Sequence, residues 1–194
     1  MAGGRGIRFG LPKAAAELAG RPLLAYPLAA FSGASIRAVV VAKRESPLPD
    51  LDVDVLLEPD EPAHPLCGIV TALERAGGRA VLACGCDMPF VTPELLTLVA
   101  SSDGKLVVPR AGGRFHPLLA RYDPALLDSL RGALVERRPL QSAVAALEPT
   151  VIDETELRTL GDPDRLFFNV NEPADLRRAE LLLEEGGSKP GAGG

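Results

Sequence analysis

The feature that most constrains this chain is alternation. From residue 36 onward, short β-branched runs take turns with stretches of helical spacing. Ile36–Ala42 (IRAVVVA) reads as a buried strand and Val53–Leu57 as a second, short one. Leu66–Ala76 has helical spacing, with Leu66, Ile69, Val70 and Leu73 on one side, and Gly77-Gly78 stops it. Ala80–Ala83 is a third strand, entering the loop Cys84-Gly-Cys-Asp-Met-Pro-Phe90. Thr92 then reads as an N-cap with Pro93 at the first helical position, predicting a helix to about Ala100. Leu106–Pro109 and Phe115–Tyr122 read as strands, and Pro124–Leu130 and Leu140–Leu147 as helices. Leu166–Val170 is expected as a last short strand and Pro173–Glu185 as an amphipathic helix. Nearer the start, Pro27 is expected to break the first helix and kink it near Tyr26. The alternation predicts a three-layer α/β fold around a mostly parallel sheet. Such sheets bind ligands beyond the carboxyl ends of their strands. With no internal repeat and no linker, residues 1–185 are expected to form one domain, with 186–194 as a flexible tail.

Charge and composition exclude several functions. A net charge of −5 argues against a general nucleic-acid surface, so any anion site must be local. No apolar run of about 18 residues predicts a membrane span, and the glycine-rich opening does not resemble a signal peptide. Cys67, Cys84 and Cys86 are odd in number and clustered, which suits structural thiols in a reducing cytoplasm better than a disulfide framework.

Four places could carry chemistry. The opening, residues 1–13, has glycines at Gly3, Gly4, Gly6 and Gly10, with Arg5, Arg8 and Lys13 interleaved. A glycine-rich backbone can turn its N–H groups onto an anion, and the cations add a preference for polyphosphate. Its spacing is neither a dinucleotide fingerprint nor a Walker loop. Asp87 falls where a strand ends, and reads either as a turn residue or as a magnesium ligand. Magnesium needs only one or two protein carboxylates when nucleotide phosphates and water fill its other positions. Phe167-Phe-Asn-Val-Asn171 would set Asn169 and Asn171 on one face of a strand, toward a ligand or metal, or else form an Asx turn. His116-Pro117, after Gly112-Gly113, is either a site histidine or a strand-edge residue without a role.

In order, these segments resemble the molybdenum cofactor guanylyltransferases, within the glycosyltransferase-A-like, Rossmann-like nucleotidyltransferases. The resemblance runs from Met1 to about Leu182. The opening is similar to the family's Leu-Ala-Gly-Gly loop ending in lysine, and Leu18-Ala-Gly-Arg-Pro-Leu-Leu24 to its continuation. Pro65-Leu-Cys-Gly68 resembles the Gly-Pro-Leu-Ala-Gly segment, and Cys86-Asp-Met-Pro-Phe90 the metal-aspartate loop. His116-Pro117 and Asn169-Val-Asn171-Glu-Pro-Ala-Asp-Leu176 resemble the two motifs of the second half.

The resemblance implies transfer of GMP from GTP to the terminal phosphate of molybdopterin, with Mg2+ bridging phosphate oxygens near Asp87 and pyrophosphate leaving. It implies that Ala2, Gly3 and Gly4 contact the nucleotide through their backbone, and that Lys13 and Arg8 neutralise phosphate charge. Glu58 or Asp60 would contact the nucleotide, with loop length favouring Glu58. Asn169, Asn171 and His116 would face the pterin side or the metal. Molybdoenzyme apoproteins or chaperones would receive the product. Three positions depart from the pattern. The family's strand ahead of the loop has no counterpart in the sequence before Met1, so one central strand is expected either to be missing or to lie in chain encoded upstream of Met1. His64 is expected to narrow the base pocket, and Val41 stands where the family can place an asparagine. The alternatives are a nucleotidyltransferase using CTP or a sugar phosphate, and a catalytically weak nucleotide-binding adaptor.

Overall fold

The structure, a computed structural model, describes residues 15–50 and 52–187. A small hairpin, β1 (Glu17–Leu18) and β2 (Arg21–Pro22), leads into α1 (Ala25–Gly33). Then follow β3 (Val40–Ala42), β4 (Val55–Leu57), α2 (Pro65–Arg75), β5 (Val81–Cys84) and α3 (Pro93–Ser101). The second half holds β6 (Leu106–Ala111), β7 (Arg114–Phe115), β8 (Leu119–Tyr122), α4 (Leu127–Val135) and α5 (Leu140–Ala145). It continues with β9 (Thr150–Ile152), α6 (Glu154–Leu157), α7 (Pro163–Leu166) and α8 (Pro173–Gly187).

Alternating side chains of the strands feed two cores. Cys84, Val107 and Leu119 join Phe31, Leu95, Leu96 and Val99 of α1 and α3 on one face. Their neighbours Ala83, Val108 and Ala120 join Leu66, Ile69, Leu130 and Val144 of α2, α4 and α5 on the other. Period-two strands between two helical layers are what a three-layer α/β fold requires. The parallel expectation holds for β3 with β4 and for β6 with β9. Between β5 and β6, β8 runs antiparallel to both.

Several sequence expectations are met to within a residue or two. Thr92 caps α3, its hydroxyl accepting from Leu95 N, with Pro93 opening the helix. The three cysteines are buried and none is in a disulfide, and burial pushes Cys84 up to about 12. No helix among the described residues is long and apolar enough to cross a membrane.

Three expectations fail for local reasons, and one strand was not expected. Leu166–Val170 is not a strand: Asp162 caps α7 by accepting from Asp164 N, and Pro163 opens it. The buried positions Pro163, Leu166, Phe167 and Val170 have helical spacing. Phe115–Tyr122 is not one strand. Pro117 has no N–H for a ladder, so the chain turns there, with Leu119 N donating to His116 O at 2.8 Å. Pro27 does not kink α1, because the helix begins at Ala25 and puts Pro27 in the first turn, where an N–H has no intrahelical partner. Thr150–Ile152, between Pro149 and Asp153, forms β9, a strand the sequence reading passed over.

Candidate active site

Three segments meet at the carboxyl end of β5. Gly85 N donates to Leu118 O at 2.8 Å, tying the loop after β5 to the turn before β8. Val170 N donates to the carbonyl of Asp87 at 2.9 Å, tying the same loop to the 167–171 segment. Phe167 stacks on His116, with ring centres 4.1 Å apart. Asp87, His116, Asn169 and Asn171, far apart in sequence, are thus gathered around one loop.

Each is held in a specific way. A Cβ on Gly85 would fall well inside van der Waals distance of Asp87 Oδ1. The absence of a side chain at 85 is therefore what leaves room for the half-buried Asp87 carboxylate. Asn169 Nδ2 donates to Phe167 O at 2.7 Å, and Asn171 Nδ2 to Asn169 O at 3.4 Å. The two amides lie in an irregular segment rather than on a strand face, which corrects the strand expectation, and their side-chain bonds are Nδ2 donations to carbonyls rather than the oxygen-accepting bond of an Asx turn. Asp175 fixes the segment from α8: its Oδ2 accepts from Asn171 N at 2.8 Å and Glu172 N at 3.0 Å, as a capping-box acid does. Phe168 locks the segment edge-on against Phe90 at 5.9 Å.

His116 is 9% exposed. Burial lowers its pKa to about 4, with the Ala111 carbonyl opposing the shift. Its Nε2 faces that carbonyl at 3.3 Å, so Nε2 carries the proton of a neutral ring and Nδ1 is the acceptor. Tyr122, fully buried, donates to Pro117 O at 2.8 Å and fixes the His116-Pro117 turn from below.

A second group lies at the carboxyl ends of β3 and β4. Glu58 is half-buried, and burial raises its pKa, while the facing Lys43 ammonium pulls it back. Lys43 Nζ also donates to Asp60 O. Asp60 itself is exposed. Cys67 Sγ bonds to Pro62 O at 2.9 Å, and burial raises this thiol as well. His64, expected only to add bulk, caps α2: its Nδ1 accepts from Leu66 N at 3.1 Å. Val41 is buried in β3. The two groups share one edge of the fold, since Val40, Ala42 and Cys86 pack in one cluster with Leu24.

Ala2, Gly3, Gly4, Arg8 and Lys13 lie outside the described residues. Sequence reasoning missed Lys43, Gly85, Phe167 and Asp175. Lys43 had a signal, as the first cation after a strand, and Gly85 had one in its place two residues before Asp87. The partner of Phe167 and the cap supplied by Asp175 are set by tertiary packing. Among the described residues no group of three or more His, Cys, Asp and Glu side chains could cage a metal. A hard cation held partly by substrate phosphates needs no such cage, and the Asp87 oxygen donor fits Mg2+ in that role.

This α/β arrangement is the fold of solved nucleotidyltransferases, among them one from Methanothermobacter thermautotroptrophicus with a TM-score of 0.71 at 22% identity, covering 95% of both chains. The crystal structure of molybdopterin-guanine dinucleotide biosynthesis protein A from Archaeoglobus fulgidus superimposes with a TM-score of 0.79 at 26% identity, covering 95% of this chain and 96% of that one. The chain belongs to the MobA-like NTP transferase domain family, whose model matches residues 1–151. The molybdenum cofactor guanylyltransferase of Cereibacter sphaeroides is 31% identical over 193 residues, 95% of both chains. That of Rhizobium meliloti is 29% identical over 196 residues, 94% of this chain and 89% of the other.

Proposed function

We propose that this protein transfers GMP from GTP to the terminal phosphate of molybdopterin. An oxygen of that phosphate attacks the α-phosphorus of GTP, the bond to the β-phosphate oxygen breaks, and pyrophosphate leaves. The observation that carries this reading is the Asp87 loop, in which one carboxylate over Gly85 is tied through Val170 to the amides of Asn169 and Asn171. The likeness to named guanylyltransferases over almost the whole chain supports it.

Little covalent chemistry falls to the protein, so positioning and charge neutralisation dominate. Asp87 is assigned to hold Mg2+, which when bound supplies charge neutralisation at the phosphates. Ala2, Gly3 and Gly4 give backbone N–H groups to the nucleotide, while Lys13 and Arg8 balance phosphate charge. Glu58, half-buried against Lys43, is the better base contact than exposed Asp60. Its carboxylate accepts from the N1–H and N2–H2 of guanine, a donor pair that cytosine lacks. Asn169, Asn171 and neutral His116 face the pterin side, where His116 offers Nδ1 as an acceptor. Residues 1–185 act as one domain in the cytoplasm, passing the product to an apoenzyme or chaperone.

The test is pyrophosphate release with GTP, molybdopterin and Mg2+, for wild type and Asp87→Asn. Release that requires all three and collapses in the variant supports the reading. Equal turnover in Asp87→Asn, or stronger competition by CTP than by GTP, sinks it.

A further inference from the structure

The parallel strands β3 and β4 end level with one another. Ala42 pairs with Leu57, and Glu58 N donates to Ala42 O at 2.9 Å. Lys43 and Glu58 therefore leave the two carboxyl ends side by side, about one strand spacing of 4.8 Å apart. Sheets of this kind take their ligands at that end. Lys43 is held from behind. Its N donates to Ser46 Oγ at 3.2 Å and its carbonyl accepts from Ser46 N at 3.0 Å, so a tight turn fixes the backbone. Its Nζ donates to Asp60 O. The loop that carries this carbonyl is tied down in turn, because Pro62 O accepts from His64 N at 2.8 Å and from the Cys67 thiol at 2.9 Å.

The anchor of the ammonium is thus a neutral carbonyl and not a carboxylate. Lys43 is near enough to pull on the Glu58 carboxyl, yet among the described residues no ion pair closes one onto the other. An ammonium has three protons to donate, and Asp60 O takes one. Both side chains are half-buried. Anchored but not closed on each other, they present a cationic donor and an anionic acceptor to one bridging group. Guanine is such a group. Its O6 accepts, while N1–H and N2–H2 on the same edge donate, and a lysine on O6 is among the commonest specific contacts made to this base. Adenine carries an amino donor at position 6, which offers an ammonium nothing to bond.

We propose that Lys43 is a specificity-determining residue: its ammonium donates to O6 of guanine while the Glu58 carboxylate accepts from N1–H and N2–H2 of the same edge. This rests on the GMP-transfer reading and adds to it the residue that rejects an amino group at position 6 of a purine. Lys43 touches the base and not the reacting phosphates. Its contact is the same in ground state and transition state, so its loss raises KM and leaves kcat at saturating GTP.

The test is competition binding to the full chain, with Mg2+, of GTP, 6-thio-GTP and ITP. 6-Thio-GTP keeps N1–H and N2–H2 but exchanges O6 for sulfur, a weak acceptor. ITP keeps O6 and lacks N2–H2. Wild type should bind each about tenfold or more weakly than GTP. Lys43→Met keeps the apolar stem and removes the donors. In it GTP should weaken about tenfold and bind no better than 6-thio-GTP, while the preference for GTP over ITP stands, because Glu58 still reads N2. Lys43→Gln returns a neutral donor and should restore part of the preference for GTP over 6-thio-GTP. Equal binding of GTP and 6-thio-GTP to wild type, or an undiminished preference in Lys43→Met, overturns the inference. So does an equal loss for all three nucleotides, which is what a merely structural lysine would give. A wild-type chain that prefers CTP to GTP sinks the transfer reading and takes this inference with it. GTP preferred to CTP, with Lys43→Met behaving as wild type, overturns the role of Lys43 alone.

Discussion

Gly85→Ala tests whether the room under Asp87 is functional. Gly85 is buried and its backbone sits where an alanine could follow without a left-handed φ, so the added methyl, not the torsion, is the perturbation. That methyl would press on Asp87 Oδ1, while its next neighbour, Met88 Cγ, stands at an ordinary 3.5 Å. The strain therefore falls on the carboxylate, which must retreat by about 1 Å, a misplacement that costs on the order of 100-fold in rate. At about 1.36 kcal/mol per tenfold, that is roughly 2.7 kcal/mol of barrier. The stability cost is smaller, about 1 kcal/mol, because one short side chain can rotate away rather than the backbone shifting. For a chain of this size that lowers the melting temperature by about 2–4 °C. Pyrophosphate release and a thermal melt on the same preparation separate the two effects. In an Asp87→Asn background, Gly85→Ala should cost little further turnover, since both act through one group. Wild-type turnover in Gly85→Ala, or a full additional loss in the double variant, would refute the reasoning.

Four other outcomes follow from the same geometry. The His116 ring has a folded pKa of about 4 against 6.5 unfolded. Below 6.5 the unfolded chain binds the proton first, so stability contributed at neutral pH is lost as pH falls from about 6.5 to 4. The loss is up to about 3 kcal/mol, and denaturant titrations at pH 7.5 and 4.5 should show a smaller drop in His116→Gln. Tyr122→Phe strips the Pro117 carbonyl of its donor and should cost about 1–2 kcal/mol in urea unfolding, with turnover falling through the His116 turn. Thr92→Ala removes the α3 cap and should cost about 1 kcal/mol while leaving turnover at wild-type level. Glu58→Gln puts an amide where a carboxylate accepts, and competition binding should show GTP losing about tenfold or more relative to CTP.

The legible parts of this fold were the local ones. The apolar runs Ile36–Ala42, whose last three residues form β3, and Ala80–Ala83, shifted by one residue from β5, announce themselves by composition, and Thr92-Pro93 by capping chemistry, because the forces that make them act within a few residues. The same holds for Asp87, whose place after an apolar run and before Met88-Pro89 marks a strand end. What could not be read was set across the chain. The stacking of Phe167 on His116 joins residues about fifty positions apart, and no periodicity in either segment refers to the other. Where the reading failed outright, at 166–170, it followed apolar content rather than spacing: Phe167, Phe168 and Val170 are strand formers by type, but the Asp162-Pro163 start ahead of them is a helix signal.

That failure bears on how the site works. Asn169 and Asn171 on a strand would be held by a ladder and would point the same way by period two. In the irregular segment they are held by their own neighbours, Phe167 O, Asn169 O and the Asp175 carboxylate, and by the bond from Val170 N to Asp87 O. The amides are thus coupled to the metal-side loop through its backbone rather than through a sheet. A change on α8 that frees the segment, such as loss of the Asp175 carboxylate, reaches Asp87 through two hydrogen bonds and a peptide, with no strand in between to absorb it. This irregular segment, and not a strand, is the arrangement that links the two halves of the site.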